Sequence, residues 1–121
     1  MALKKIARIG DLVSGHTDVQ GNAVSGTITT GSNTVKNSSV GIATTDYNIH
    51  IPSHPHQLDA FGAPTDYRSH DWRIVGTGKH KIVSKAIARD GDGGNNADWD
   101  GYQTMPSALS IQATTTTLYC T

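Results

Sequence analysis

Large side chains are in short supply. Of 121 residues one is Phe, two are Trp and four are Tyr, and 36% are hydrophobic in all. A chain of this length hides roughly two-thirds of its unfolded surface on folding, so residues 1–121 are expected to form one small domain with a thin core. A single cysteine, Cys120, excludes an internal disulfide. Charge of one sign is missing too. Ten Lys and Arg balance ten acidic residues, and a neutral chain lacks the footprint of a general nucleic-acid binder, whose affinity comes from neutralising phosphates. No apolar run is long enough to span a bilayer, and Met1-Ala2-Leu3-Lys4-Lys5 leads into patterned sequence without an apolar signal core. A soluble protein with no signal peptide and no transmembrane segment is expected. The helix formers Leu, Glu, Gln and Met are scarce. No window of helical length places apolar residues at i, i+3, i+4 and i+7 without an interrupting Gly or Pro, which excludes helices of ordinary length.

What is present is 13 Gly, 15 Thr and 10 Ser, a β-forming and turn-forming mixture. Short β-branched or alternating runs between turn residues are predicted as strands at 23–29, 34–35, 41–43, 73–75, 81–83, 86–88 and 110–113, with Thr114–Tyr119 as a further hydroxyl-bearing strand. The fold class read from this is all-β.

The chain also repeats itself. Lys5-Ile6-Ala7-Arg8-Ile9-Gly10-Asp11 matches Lys85-Ala86-Ile87-Ala88-Arg89-Asp90-Gly91-Asp92, with Ala-Arg-X-Gly-Asp in register, and Val40-Gly41-Ile42-Ala43-Thr44-Thr45-Asp46 is a weaker third copy. The stretches leading into the last two copies agree as well, Gly31-Ser32-Asn33-Thr34-Val35 aligning with Gly76-Thr77-Gly78-Lys79-His80. Each unit is expected to be a pair of short strands ending in an Asp turn. Between the second and third copies, Pro52, Pro55, Gly62 and Pro64 predict an irregular loop over about 51–71. Asp90 to Gly101 is too rich in turn formers for a strand and is predicted as a second loop.

With Gly31-Ser32-Asn33-Thr34-Val35, Ala86-Ile87-Ala88-Arg89 and Gly91-Asp92 in these places, the chain resembles the proline-alanine-alanine-arginine (PAAR) repeat proteins over about residues 5–46 and 73–92. It departs from their pattern in three ways. The eponymous Pro is absent, Thr44-Thr45 replace Arg and Gly in the middle copy, and no Cys follows the last Gly-Asp. The resemblance implies a small cone of short β-hairpins with pseudo-threefold repeats, whose apex holds a metal and whose base caps a trimeric β-helical spike. It further implies a membrane-piercing tip of a contractile injection machine (phage tail, tailocin or type VI secretion system) directed at a target cell envelope. Such a tip would be assembled in the producing cell's cytoplasm and is not an enzyme. With no toxin segment attached, a plain tip on a virion or injection particle is the expectation.

A converging apex has too little volume for an apolar core, so a metal can staple what side chains cannot. Structural Zn²⁺ takes four ligands in a tetrahedron, usually His and Cys. His16 lies five residues after Asp11, and His50, His54 and His56 lie four, eight and ten after Asp46, so two repeat units offer His from corresponding positions. In extended backbone His54 and His56 point to one side, with Pro55 stiffening the pair. Cys120 can supply a thiolate. Three His and one Cys is the set that the resemblance implies. The candidate ligands are therefore His16, His50, His54, His56 and Cys120, with Zn, or alternatively Fe, as the structural metal. His70 and His80 read as surface or hydrogen-bonded residues.

Other constellations carry less. Asp90, Asp92, Asp98 and Asp100 lack the spacing and terminal Glu of an EF-hand loop. Trp72, Trp99 and Tyr102 are needed for packing in a chain this poor in large residues. Two alternatives to the spike tip are a small zinc hydrolase with Asp46 or Asp59 as base, and a glycan- or receptor-binding β module built on the Trp72 and Trp99 loops. Neither nucleic acid nor a small-molecule substrate is expected as a partner of the tip.

Overall fold

A computed structural model describes residues 3–76, 78–95, 109–115 and 117–121. Every regular element among them is a strand: β1 Lys4–Lys5, β2 Leu12–Thr17, β3 Ala23–Ile28, β4 Lys36–Asn37, β5 Val40–Gly41, β6 Tyr47–Leu58, β7 Pro64–Val75, β8 Lys81–Ile82, β9 Lys85–Ala86, β10 Gly93–Asn95, β11 Ser110–Gln112 and β12 Tyr119–Cys120. Six of these form one antiparallel sheet in the order β10-β7-β6-β3-β2-β11, and its two outer strands touch, so the sheet nearly closes as a barrel. The other six pair as β1-β12, β4-β5 and β8-β9.

The internal repeat is what joins these parts. Ala43 N–H donates to Ala7 O (3.0 Å), Ala7 N–H to Ala88 O (2.9 Å) and Ala88 N–H to Ala43 O (2.9 Å), closing a ring through the three copies. All three alanines are fully buried. The flanking contacts repeat in step. Ile6, Ile42 and Ile87 donate their N–H groups to Leu118, Val35 and His80, while Ile28, Ile74 and Ile111 donate theirs to Asp11, Asp46 and Asp92. Each copy therefore has the same backbone neighbours, and the first takes its lead-in from the C-terminal segment.

The Asp turns follow from local chemistry. Gly10 (φ 91°) and Gly91 (φ 82°) adopt the left-handed conformation that glycine tolerates. Asp11 and Asp92 then fold their carboxylates back onto Arg8 N–H and Arg89 N–H, both at 2.8 Å. In the middle copy that Gly is missing, and Asp46 instead accepts from Lys85 Nζ. The ladders β4-β5 and β8-β9 are closed by turns with two successive positive φ angles, Ser38 (52°) and Ser39 (65°), and Val83 (49°) and Ser84 (66°), the hairpin geometry of type I′.

Three expectations need correction. Residues 51–71 are not a loop: β6 and β7 form a long hairpin across them, with Ile51 opposite His70, Pro55 opposite Tyr67 and Leu58 opposite Pro64. The prolines are tolerated because β3 pairs with β6 only at Ile49 and His50, and beyond that point no strand among the described residues pairs with that edge of β6, so a missing N–H breaks no described ladder there. Within the predicted Asp90–Gly101 loop, Gly93–Asn95 pair with Arg73–Val75 as a strand, and 96–101 lie outside the described residues. Thr114 and Thr115 are not in a strand; their hydroxyls donate to Asp11 Oδ1 (2.9 Å) and Asn37 Oδ1 (2.8 Å). The core is built from Ala7, Val13, Ile28, Ala43, Ile49, Ile51, Trp72, Ile74, Ala88, Leu109 and Ile111.

Candidate metal centre

Strand β7 alternates strictly: His70, Trp72 and Ile74 are buried while Ser69, Asp71, Arg73 and Val75 are exposed. On β6 Ile49 and Ile51 are buried and then His54 and His56, a change of parity that simple alternation forbids, with Asn48 and Pro55 buried beside them. The pairing with β7 shifts register between Ile51 and His54, and this irregularity turns the two His inward. Strand β2 does the same. Val13 and His16 are both buried though three apart, with a register shift between them at Gly15, whose φ is 104°.

Two bulges and one regular strand thus bring four histidines together, none more than 3% exposed. His54, His56 and His70 each offer a ring nitrogen within 4.8 Å of the others, a group that could hold a metal ion. His56 Nε2 lies 2.6 Å from His70 Nε2, and His54 Nε2 lies 3.1 Å from His16 Nε2. The rings of His54 and His56 stack at 4.5 Å. Trp72 walls the group, stacked on His70 at 5.2 Å and edge-on to His16 at 4.9 Å.

The outer nitrogens decide what the inner ones can do. His54 Nδ1 lies 2.7 Å from Pro52 O, and His56 Nδ1 lies 3.0 Å from His54 O and 3.2 Å from Asp66 O. A carbonyl only accepts, so each Nδ1 carries a hydrogen, and in the neutral ring Nε2 presents its lone pair to the cluster. Orientation by backbone carbonyls is how metal-binding imidazoles are commonly held. Buried imidazoles with their lone pairs converging suit Zn, Fe, Cu or Ni chemically.

The candidates separate accordingly. His54 and His56 enter the cluster, and His16 meets it through His54. His70, read from sequence as a surface or structural residue, is a buried member. His50 is outside: half-exposed, it pairs through Nδ1 with Asp71 Oδ1 at 2.9 Å across the β6-β7 ladder. Cys120 is outside as well, buried in a separate apolar cluster with Ile6, Ile42 and Ile87. Burial pushes its thiol pKa up, Arg89 opposes this and Asp92 adds to it, so the thiol keeps its proton and offers no ready thiolate. His80 is exposed, 3.4 Å from Thr121 Oγ1.

The acidic candidates are otherwise engaged. Asp46 pairs with Lys85 and Asp59 accepts from Phe61 N–H and Ala63 N–H in its own turn. Asp90 accepts from Ala113 N–H and Asp92 from Arg89. Trp72 is a packed core residue; Asp98, Trp99, Asp100 and Tyr102 lie outside the described residues. Compared with protein families, curated proteins and solved structures, the chain matches none.

Proposed function

We propose that this chain is a PAAR-like, metal-stapled β cone that caps a trimeric β-helical spike in a contractile injection machine and meets the target cell envelope. The observation that carries the reading is the alanine ring: one chain offers three copies with the same backbone neighbours. A threefold partner presents the same surface three times, and a single chain can match it only by repeating itself. The histidine cluster supports the apex, with Zn or Fe held by His54, His56 and His70 and His16 as the fourth donor. Such an ion would act as a structural staple at a place too narrow for an apolar core. The role is mechanical and needs no turnover. Its location would be the tip of a virion tail or injection particle, after assembly in the producing cell's cytoplasm.

A zinc hydrolase would need an open coordination position and a free base. A cluster this buried, with Asp46 and Asp59 tied up elsewhere, favours the closed structural site. The test is co-expression with the trimeric β-helical spike protein encoded nearest to it, followed by native mass spectrometry. One tip per three spike chains is expected. Failure to bind any of a panel of such trimers, with the tip folded and monomeric, would refute the reading.

A further inference from the structure

The charges of this neutral chain are sorted by position. All six lysines lie in the segments that lead into the ring alanines, residues 1–6, 31–42, 76–87 and 117–121, and none of the ten acidic residues does. Those segments hold the three ladders β1-β12, β4-β5 and β8-β9, and the ladders form one body. Asn37 of β4 donates to Thr117 Oγ1 (3.2 Å) and accepts from Thr115 Oγ1 (2.8 Å), just before β12. Lys79 N–H donates to Thr121 O, just after it (3.1 Å). Ile6, Ile42, Ile87 and Cys120 share a core with Ile82 and Leu118, separate from the core of the barrel.

Each ladder carries lysine. Lys36 and Lys81 take the same place on their ladders, opposite Gly41 and Ala86, and Lys4 and Lys85 stand three residues before Ala7 and Ala88. All four are exposed. Of the six lysines only Lys85 has a carboxylate partner among the described residues, Asp46. Exposed apolar side chains stand among them on every ladder: Leu3 and Tyr119, Val35, and Val83. Val83 is the least expected. It is held at φ 49° where the β4-β5 turn has Ser38, a conformation that a β-branched residue adopts only under strain. At 88% exposed it gains little from its own fold in return. Strain kept where a serine serves equally well points to a contact made outside the chain.

A basic surface by itself fits any polyanion, and two features favour carboxylates on a protein. Every charged side chain in these segments is a Lys, a point charge, with none of the Arg forks that match phosphate. The interspersed apolar side chains suit a protein contact, whereas nucleic-acid contacts are more polar. We propose that the ladder end is a docking surface for an acidic protein surface, on which Lys4, Lys36, Lys81 and Lys85 engage carboxylates around apolar contacts that include Val83. That the partner is a trimer rests on the spike-tip reading; that it is acidic does not.

The test has two arms. In the first, the ¹⁵N-labelled full chain is titrated with hexaglutamate and with a charge-matched single-stranded DNA, followed by NMR, and phosphatidylserine vesicles are tested by co-sedimentation. Hexaglutamate should shift the amides of Lys36, Lys81 and Val83, and bind at least about tenfold more weakly at about 0.5 M salt than at about 0.05 M. Shifts confined to other amides, or tighter binding of the DNA or the vesicles, would overturn the proposal. In the second arm, a spike trimer that captures the tip is offered variants of it. Lys36→Gln with Lys81→Gln should weaken binding roughly tenfold, Val83→Asn several-fold although it folds more stably, and Arg68→Gln on β7 not at all. A trimer that binds every variant alike, at low and high salt, overturns the acidic docking surface and leaves the spike-tip reading standing. Hexaglutamate shifts on the ladders with no trimer captured do the reverse.

Discussion

Replacing His56 and His70 together by Leu separates a metal centre from a merely polar pocket. The two rings face each other at 2.6 Å through Nε2 and both are buried. If the cluster binds no metal, the exchange removes this N–H···N hydrogen bond together with the His56 Nδ1–H bond to the His54 and Asp66 carbonyls, a cost of only about 1–2 kcal/mol. If it binds a structural ion, the ion contributes about 10–16 kcal/mol in total. Spread over four donors that is about 2.5–4 kcal/mol per ligand, so the double substitution costs about 5–8 kcal/mol. A domain of this kind has only about 5–15 kcal/mol of stability in all. At about 4 °C per kcal/mol for a chain of this size, the single variant His56→Leu should melt roughly 10–16 °C lower. The double variant should be close to unfolded at room temperature. The assay is calorimetry with and without a strong chelator, beside elemental analysis of the purified protein, in which about one ion per chain is expected. The reasoning is refuted if the purified protein holds no stoichiometric metal, the chelator leaves its melting unchanged, and the double Leu variant melts within about 8 °C of wild type.

Val83 is β-branched, 88% exposed and held at φ 49°, so Val83→Asn should stabilise the chain by about 1 kcal/mol, read from urea unfolding; a destabilised variant would show that Val83 has a packing role. Cys120 has a raised thiol pKa in the fold, so its contribution is fully present below the ordinary thiol range and is lost as pH rises through the folded value. The melting temperature should therefore fall on alkalinisation, more gently in Cys120→Ala, whose metal content should equal wild type; loss of metal in that variant would make the thiol a ligand after all.

The all-β class was legible from composition, because a chain full of Gly, Ser and Thr with few helix formers has little else to become. The repeat was legible too, and Ala-Arg-X-Gly-Asp turns out to encode a buried alanine, a left-handed Gly and an Asp that folds back on the backbone. Its ring of hydrogen bonds was not, since bonds between copies leave no mark on spacing. The β6-β7 hairpin was hidden by its prolines, which signal loops unless the strand edge is known to be open. The histidines were half legible. Strict alternation sets His50, His54 and His56 on one face, opposite Ile49 and Ile51, but the irregularity after Ile51 sends His54 and His56 inward and leaves His50 with Asp71. Only the buried alternation of β7, with His70 two residues before Trp72, could have pointed to the remaining member.

The alanine ring and the histidine cluster answer one shortage in two ways. At the ring, three copies meet at buried alanines, and cohesion there comes from backbone hydrogen bonds closed on themselves. Away from the ring the β6-β7 hairpin runs on after its pairing with β3 stops at His50. A two-stranded ribbon is marginal in water by itself, and with so few large side chains the sequence has little aliphatic bulk to bury against it. His16, reaching in from β2 across the gap, meets His54 in place of a leucine. An imidazole cluster buries less apolar surface than aliphatic residues would, so without an ion this end is the weaker half of the fold. With an ion each Nε2 gains a bond that no rearrangement of the hairpin can replace. The carbonyls of Pro52, His54 and Asp66 that orient His54 and His56 belong to that same hairpin. Metal binding by this cluster would therefore be one equilibrium with hairpin geometry: whatever straightens the irregularity after Ile51 also turns His54 and His56 away.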